Sequence, residues 1–182
     1  MEENIEGMTL KNVVMTIDEL KKVLLEGDWE KFKNCLETYN IDDYDKFGNN
    51  ILHYYLKTKE AKKISTKKIL NALINRGIDI NQKQKDKQYG YSPMHFAVIT
   101  KNIEAFDYLI EKGADINAQD INGNTILSSL VFYYKRDINT YSEMINILLN
   151  KGADAHLKNN YGVSAYSLAH SIANSDVKKF FK

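Results

Sequence analysis

The chain has 182 residues, 43% hydrophobic and 27% charged, with 25 basic and 24 acidic side chains for a net charge of +1. These values fit one soluble globular unit. No run approaches the roughly 18 apolar residues of a membrane span, and the single cysteine, Cys35, excludes an internal disulfide. Residues 1–15 have no clear period and read as a flexible leader. Their acidic opening, Met1-Glu-Glu-Asn-Ile-Glu, lacks the basic and apolar regions of a signal peptide, so a cytoplasmic location is expected. Lys outnumbers Arg 23 to 2 and Ile and Asn each occur 19 times, a bias of AT-rich coding rather than of chemistry.

Thr16-Ile-Asp-Glu19 has the form of a capping box and predicts a helix carrying Leu20, Val23 and Leu24. Glu26-Gly27-Asp28 breaks it, and Trp29, Phe32, Cys35 and Leu36 make the apolar face of a partner helix, with Cys35 read as a small core hydrophobe. A second pair follows: Asp45-Lys-Phe-Gly48-Asn-Asn50 leads into Ile51, Leu52, Tyr55 and Leu56, and Ile69, Leu70, Leu73 and Ile74 form the returning helix. Between them lies Lys57–Lys68, with six lysines and one glutamate. In the third pair Ser92 caps and Pro93 occupies the first helical position, where its missing N–H costs nothing. Met94, Ala97 and Val98 share one face, and Ile103, Phe106, Leu109 and Ile110 lead to the terminator Lys112-Gly113. A fourth pair has Ile126, Leu127, Leu130 and Val131, then Phe132–Tyr141 as a longer connection, then Met144, Ile145, Leu148 and Leu149. Leu168, Ala169, Ile172, Val177 and Phe180 close the chain as a shorter cap with a polar end.

These pairs are copies of one another. Gly48, Gly90, Gly123 and Gly162 mark the openings at intervals of 42, 33 and 39 residues, and Gly77, Gly113 and Gly152 mark the closings in phase. The stretch Gly90-Tyr-Ser-Pro-Met-His-Phe-Ala97, closed by Gly113-Ala-Asp-Ile-Asn117, resembles an ankyrin repeat in its period of about 33 residues and its Thr-Pro-Leu-His-x-Ala-type signature. The resemblance covers residues 16–182 and implies an all-α ankyrin-repeat solenoid of about five helix-turn-helix repeats with short hairpin turns between them. The repeats fall at about 16–44, 45–85, 86–119, 120–158 and 159–182. The two long intervals place insertions at 57–68 and 132–142, between the helices of repeats two and four. A pair of this size cannot bury its apolar face alone, so stacking supplies the core.

Few residues stand in patterns that carry chemistry. His53 and His95 stand at the position that, in the family resembled, bonds a neighbouring backbone. His156 and His170 have no Cys or carboxylate at metal-ligand spacing. Asp79, Asp115 and Asp154 are periodic and sit in closing turns, where Asp bonds its own backbone. There is no phosphate-cradling glycine loop, nucleophile elbow or Cys/His pair. The expectation is a protein that is not an enzyme and takes no cofactor or metal.

What remains is surface. The resemblance implies binding through a concave face made of hairpin tips and the first helix of each pair. Large side chains at the tips gain little from the core, so Tyr44, Phe47, Lys85, Lys87, Tyr89, Tyr91, Ile121, Asn122 and Tyr161 are candidate contacts, with first-helix Tyr54 and Phe96. Ser129 and Phe132 continue that face, unless the insertion buries Phe132 and the tyrosines after it. Charge is uneven: residues 1–45 hold 5 basic and 12 acidic groups, a balance of −7, and residues 46–90 hold 11 and 3, a balance of +8. Such a dipole steers an oppositely charged partner. Nucleic acid is disfavoured, since arginine is scarce and the lysines are not interleaved with stacking aromatics. The expectation is a monomer, free of membranes, that binds a protein. Small free-standing members of the family resemble immunity proteins that neutralise a toxin or enzyme, and the alternatives are a viral or pathogen protein engaging a host factor, or a scaffolding subunit.

Overall fold

The computed structural model describes residues 14–58, 63–85 and 89–181, apart from the side chains of 172–175. Nine α-helices follow one another among these residues: α1 Ile17–Glu26, α2 Trp29–Thr38, α3 Ile51–Lys57, α4 Thr66–Asn75, α5 Pro93–Ile99, α6 Ile103–Glu111, α7 Ile126–Tyr133, α8 Ile138–Asn150 and α9 Ala165–Ala169. Two 3-10 segments, Tyr134–Arg136 and Ile172–Phe180, complete the set. No strand forms among the described residues, only isolated bridges such as Gln119 with Thr125.

Local chemistry sets the helix starts. The Thr16 side chain accepts from the Glu19 N–H, and the Glu19 carboxylate returns a bond to the Thr16 N–H at 2.9 Å. Asp28, Asn50, Asn102, Thr125, Asp137 and Ser164 cap later helices with their side chains. Each such cap satisfies one of the orphan donors of a first turn and contributes about 1 kcal/mol.

Helices pack as two rows. The first helices of the pairs, α1, α3, α5, α7 and α9, stack in sequence, and α4, α6 and α8 stack behind them. Leu20, Phe32, Leu52, Leu70, Val98, Leu109, Leu130, Leu148 and Ala169 are among the side chains sealed between the rows. Arg76 ties repeat two to repeat one: its guanidinium donates to the carbonyls of Leu36, Glu37 and Tyr39 at 3.1, 3.2 and 3.4 Å, at the end of α2. Cys35 is only partly buried against the core, as is Trp29, whose ring carries the Lys68 ammonium at 4.2 Å.

The insertions behave differently from one another. In repeat four the expected connection is helical: α7 continues to Tyr133, a 3-10 turn follows, and Asp137 caps α8 four residues ahead of Tyr141. Tyr134 and Tyr141 are each 2% exposed, Tyr134 edge-on to Phe180 and Tyr141 stacked on Tyr133, whereas Phe132 faces outward. In repeat two, residues 59–62 lie outside the described residues, Ile64 is buried, and α4 begins at Thr66. The leader expected at 1–15 falls outside them as far as residue 13; Met15 bridges to Tyr39.

The hairpins between pairs are built from side-chain caps. Asp45 Oδ1 accepts from the N–H groups of Phe47 and Asn49, both at 2.9 Å. Asp120 does the same for Asn122 and Asn124, and Asn159 for Tyr161 and Val163. Successive hairpins are joined by backbone bonds from Lys85 to Gly48, Ile121 to Tyr89 and Asn160 to Asn122, each 2.9 Å. Gly48 has φ +72°, and a Cβ there would lie 2.0 Å from the Lys85 carbonyl oxygen. Only glycine fits. At the closing turns Asp79, Asp115 and Asp154 each accept from a backbone N–H two residues ahead. Asn81 and Asn117 link them by accepting from the Asp115 and Asp154 N–H groups.

Candidate functional site

The hairpins and the first helices form one face, and it is indented twice. The larger cleft, about 430 Å³, lies between the hairpins of repeats three, four and five and the end of α7. Tyr89, Tyr91, Phe132, Tyr133 and Tyr161 supply its rings, and Asn122 stands among them. The smaller, about 330 Å³, lies beside α1 and α3 and is lined by Lys21, Asp45, Phe47, Asn49, Tyr54 and Lys57.

Aromatic stacking builds the larger cleft from the core outward. The Tyr91 ring stacks on His95 at 5.4 Å and on Tyr89 at 5.2 Å, and meets Phe96 edge-on at 5.7 Å. Tyr133 is held between Tyr141, stacked at 6.2 Å, and Phe132, edge-on at 5.1 Å, with the Arg136 guanidinium 4.6 Å from its centroid. Burial pushes the Tyr91 phenol up to about 12, so it stays protonated in any ordinary buffer. The Asp120, Asn124 and Asn159 side chains of the cleft are already engaged. Asp120 receives two backbone N–H groups and the Asn124 side-chain amide, and Asn124 Oδ1 accepts from the Asn159 side-chain amide at 2.7 Å. A ligand here meets ring faces and edges, with the Asn122 amide, the Ser129 hydroxyl and the tyrosine hydroxyls among them.

The smaller cleft is charged. Lys21 Nζ donates to Asp45 at 2.9 Å and to Asp18 at 3.1 Å, and lies 5.0 Å from the Tyr54 ring centroid. Burial opposes the charge on Lys21, but the bonds to Asp45 and Asp18 win and raise its pKa. Burial likewise opposes the Asp45 carboxylate, and the Lys21 ammonium with the Asn49 and Phe47 N–H groups holds it below the usual range.

The histidines are structural. His53 Nδ1 accepts from the Asn50 N–H at 3.2 Å and Nε2 donates to the Gln82 carbonyl at 2.7 Å, which fixes the neutral ring and ties α3 to the segment that leads into the next hairpin. The Ser92 N–H and hydroxyl meet His95 Nδ1 at 3.2 and 2.9 Å. Its Nε2 has no partner in hydrogen-bond geometry, although the Asn124 backbone is near enough to favour a protonated ring. Burial outweighs this and depresses both histidines to about 4. Among the described residues no three His, Cys, Asp or Glu groups converge as metal ligands.

Of the candidate contacts, Tyr89, Tyr91, Asn122 and Tyr161 meet in the larger cleft and Phe47 and Tyr54 in the smaller. Ile121 is exposed at the tip beside Asn122. Tyr44 is half-buried beneath Lys85, whose ammonium lies 3.8 Å from its ring centroid. Lys87 lies outside the described residues. Phe96 needs a correction: it is 4% exposed, pressed between Tyr91 and the His53 ring, so it supports the face and does not present a surface. Tyr133 and Val163, which sequence reasoning missed, line the larger cleft. Counting from each repeat's opening glycine would have found Val163, since Asn49, Tyr91 and Asn124 are its equivalents.

The family model described as ankyrin repeats in three copies matches residues 18–120. The chain is similar to an ankyrin repeat protein of Rickettsia felis, 30% identical over 160 residues, covering 83% of this chain and 67% of that protein. It is also similar to an ankyrin repeat protein of Variola virus, 28% identical over 144 residues, and to the transient receptor potential cation channel subfamily V member 5 of Rattus norvegicus, 39% identical over 94 residues. These alignments cover 74% and 48% of this chain, but the chain spans only 23% of the viral protein and 13% of the channel. No helix among the described residues is long and apolar enough to cross a membrane.

Proposed function

The chain belongs to the ankyrin-repeat family, and on that premise we propose that it binds a protein partner non-covalently, seating a segment of it in the cleft between the hairpins of repeats three to five. One observation carries this. Phe132, Tyr161 and Tyr89 are 64, 76 and 61% exposed and converge on a single hollow. Exposed rings at a common concave site are the type of side chain that dominates interface energetics. The protein performs no reaction of its own; its effect is that of occupying a surface.

The partner is a protein of another organism that the chain engages, a host factor. Relatives in a poxvirus and in a rickettsia, both of which live inside host cells, favour this over the neutralisation of a toxin or enzyme by an immunity-type protein. The test is affinity capture with the full chain and with a Phe132→Ala/Tyr161→Ala variant, followed by calorimetry with the purified partner. The proposal expects one partner at equal stoichiometry and a loss of at least about 30-fold in affinity in the variant. Equal binding by both chains would refute it. Rescue of growth against a toxin encoded beside the gene would replace the host-factor reading with the immunity one.

A further inference from the structure

The two clefts are the same place in different repeats. Counted from the opening glycine, Asp45, Phe47, Asn49, Tyr54, Lys57 and Thr58 of repeat two correspond to Asp120, Asn122, Asn124, Ser129, Phe132 and Tyr133 of repeat four, and each set lines its own cleft. One concave groove therefore runs along the solenoid, and its lining changes character part-way. Over repeat two the last turn of the first helix offers Lys57, an exposed ammonium with no ion pair among the described residues. The neighbouring tips add Lys46 beside the Phe47 ring, 5.1 Å from its centroid, and Lys85 over Tyr44. At the equivalent helical positions of repeat four stand Phe132 and Tyr133, with Tyr161 on the next hairpin.

We infer that the ligand of this groove is an acidic peptide segment carrying an apolar anchor, its carboxylates over Lys46 and Lys57 and its anchor between Tyr91, Phe132 and Tyr161. This rests on the concave-face reading above and adds the partner's chemistry and direction. Charge complementarity decides the first half: residues 46–90, which carry Lys46, Lys57 and Lys85, hold 11 basic and 3 acidic groups, and none of these three lysines is ion-paired among the described residues. The lining decides the second, since Tyr91, Phe132, Tyr133, Tyr161, Val163 and Leu168 offer rings and aliphatic carbon against which an apolar anchor buries its surface. Spacing follows from the repeats. Packed helices lie about 8–10 Å apart, so two repeats separate the halves by roughly 20 Å. Extended chain covers about 3.3 Å per residue, which puts about six residues between the carboxylates and the anchor.

The test is selection of random 12-residue peptides displayed on phage against the full chain, followed by affinity measurements on synthetic copies. The inference expects enrichment of Asp and Glu at one end and of Leu, Phe, Met or Trp about six residues away. Lys46→Glu/Lys57→Glu should weaken these peptides by about tenfold, and more so at low salt. Phe132→Ala/Tyr161→Ala should weaken them by about 30-fold or more. All four positions are exposed or at the surface, and matched thermal melts verify that the variants fold. Peptides that lose binding in the aromatic variant but carry no acidic end overturn this inference and leave the concave-face reading standing. Peptides indifferent to both variants, or no enrichment at all, overturn both.

Discussion

Acid should unfold this protein earlier than its carboxylates alone would dictate. His53 and His95 are 0 and 1% exposed, and burial depresses both rings from 6.5 to about 4. In the unfolded chain they protonate through pH 6.5; in the folded chain they stay neutral. The unfolded state therefore binds more protons in this window, and stability is complete above pH 6.5 and falls as pH drops towards 4. At pH 5 the unfolded rings are about one and a half pK units past their midpoint. At about 1.4 kcal/mol per unit this is ~2 kcal/mol for each ring and ~4 for the pair. That is a large part of the roughly 5–15 kcal/mol that holds a domain together. The depressed carboxylates Glu19, Asp45 and Asp137 lose their contribution only below about pH 4.5, so the interval from 6.5 to 5 isolates the histidines. Urea unfolding followed by circular dichroism at pH 7, 6 and 5 measures it, and His53→Gln should halve the pH slope. A free energy of unfolding that is flat or rising between pH 7 and 5 would refute the reasoning.

Other expectations follow from single contacts. Gly48→Ala forces a left-handed residue with a Cβ against the Lys85 carbonyl, so it should cost about 2–3 kcal/mol and lower Tm by about 5–10 °C in a thermal melt. Arg76→Ala leaves the α2 carbonyls without their charged donor; urea titration should show about 2 kcal/mol lost, and Arg76→Lys should recover little of it, because one ammonium cannot span three carbonyls. Phe132→Ala/Tyr161→Ala removes rings that carry little core packing, so its Tm should stay within about 2 °C of the parent while partner affinity falls, as differential scanning calorimetry and titration calorimetry would report.

The architecture was legible because each repeat writes its period in groups that must be satisfied locally. Thr16 with Glu19, and Asp79, Asp115 and Asp154 in their turns, form the bonds their spacing implied. The extension in repeat four was not, because a helix and a long loop are equally compatible with Phe132–Tyr141 until Tyr134 is seen buried against Phe180 and Tyr141 against Tyr133. Phe96 misled for a related reason. Its position matches Tyr54 and Ser129, which face the groove, but in repeat three the large Tyr91 ring covers it. Whether an aromatic at this helical position is surface or support depends on what its own hairpin and the preceding repeat set against it, here Tyr91 and His53, and the spacing of apolar residues does not carry that information. The ion pair of Lys21 with Asp45 was equally out of reach, since it joins residues 24 apart that meet only when repeats stack.

Hydrogen exchange with mass spectrometry on the chain bound to its captured partner tests the central claim most directly. A partner seated in the cleft slows exchange at the hairpins around Tyr89–Tyr91, Asp120–Asn124 and Asn159–Val163 and at the end of α7, and leaves α2, α4 and α6 unchanged. Protection confined to α2, α4 and α6, with those hairpins exchanging as in the free protein, would contradict it.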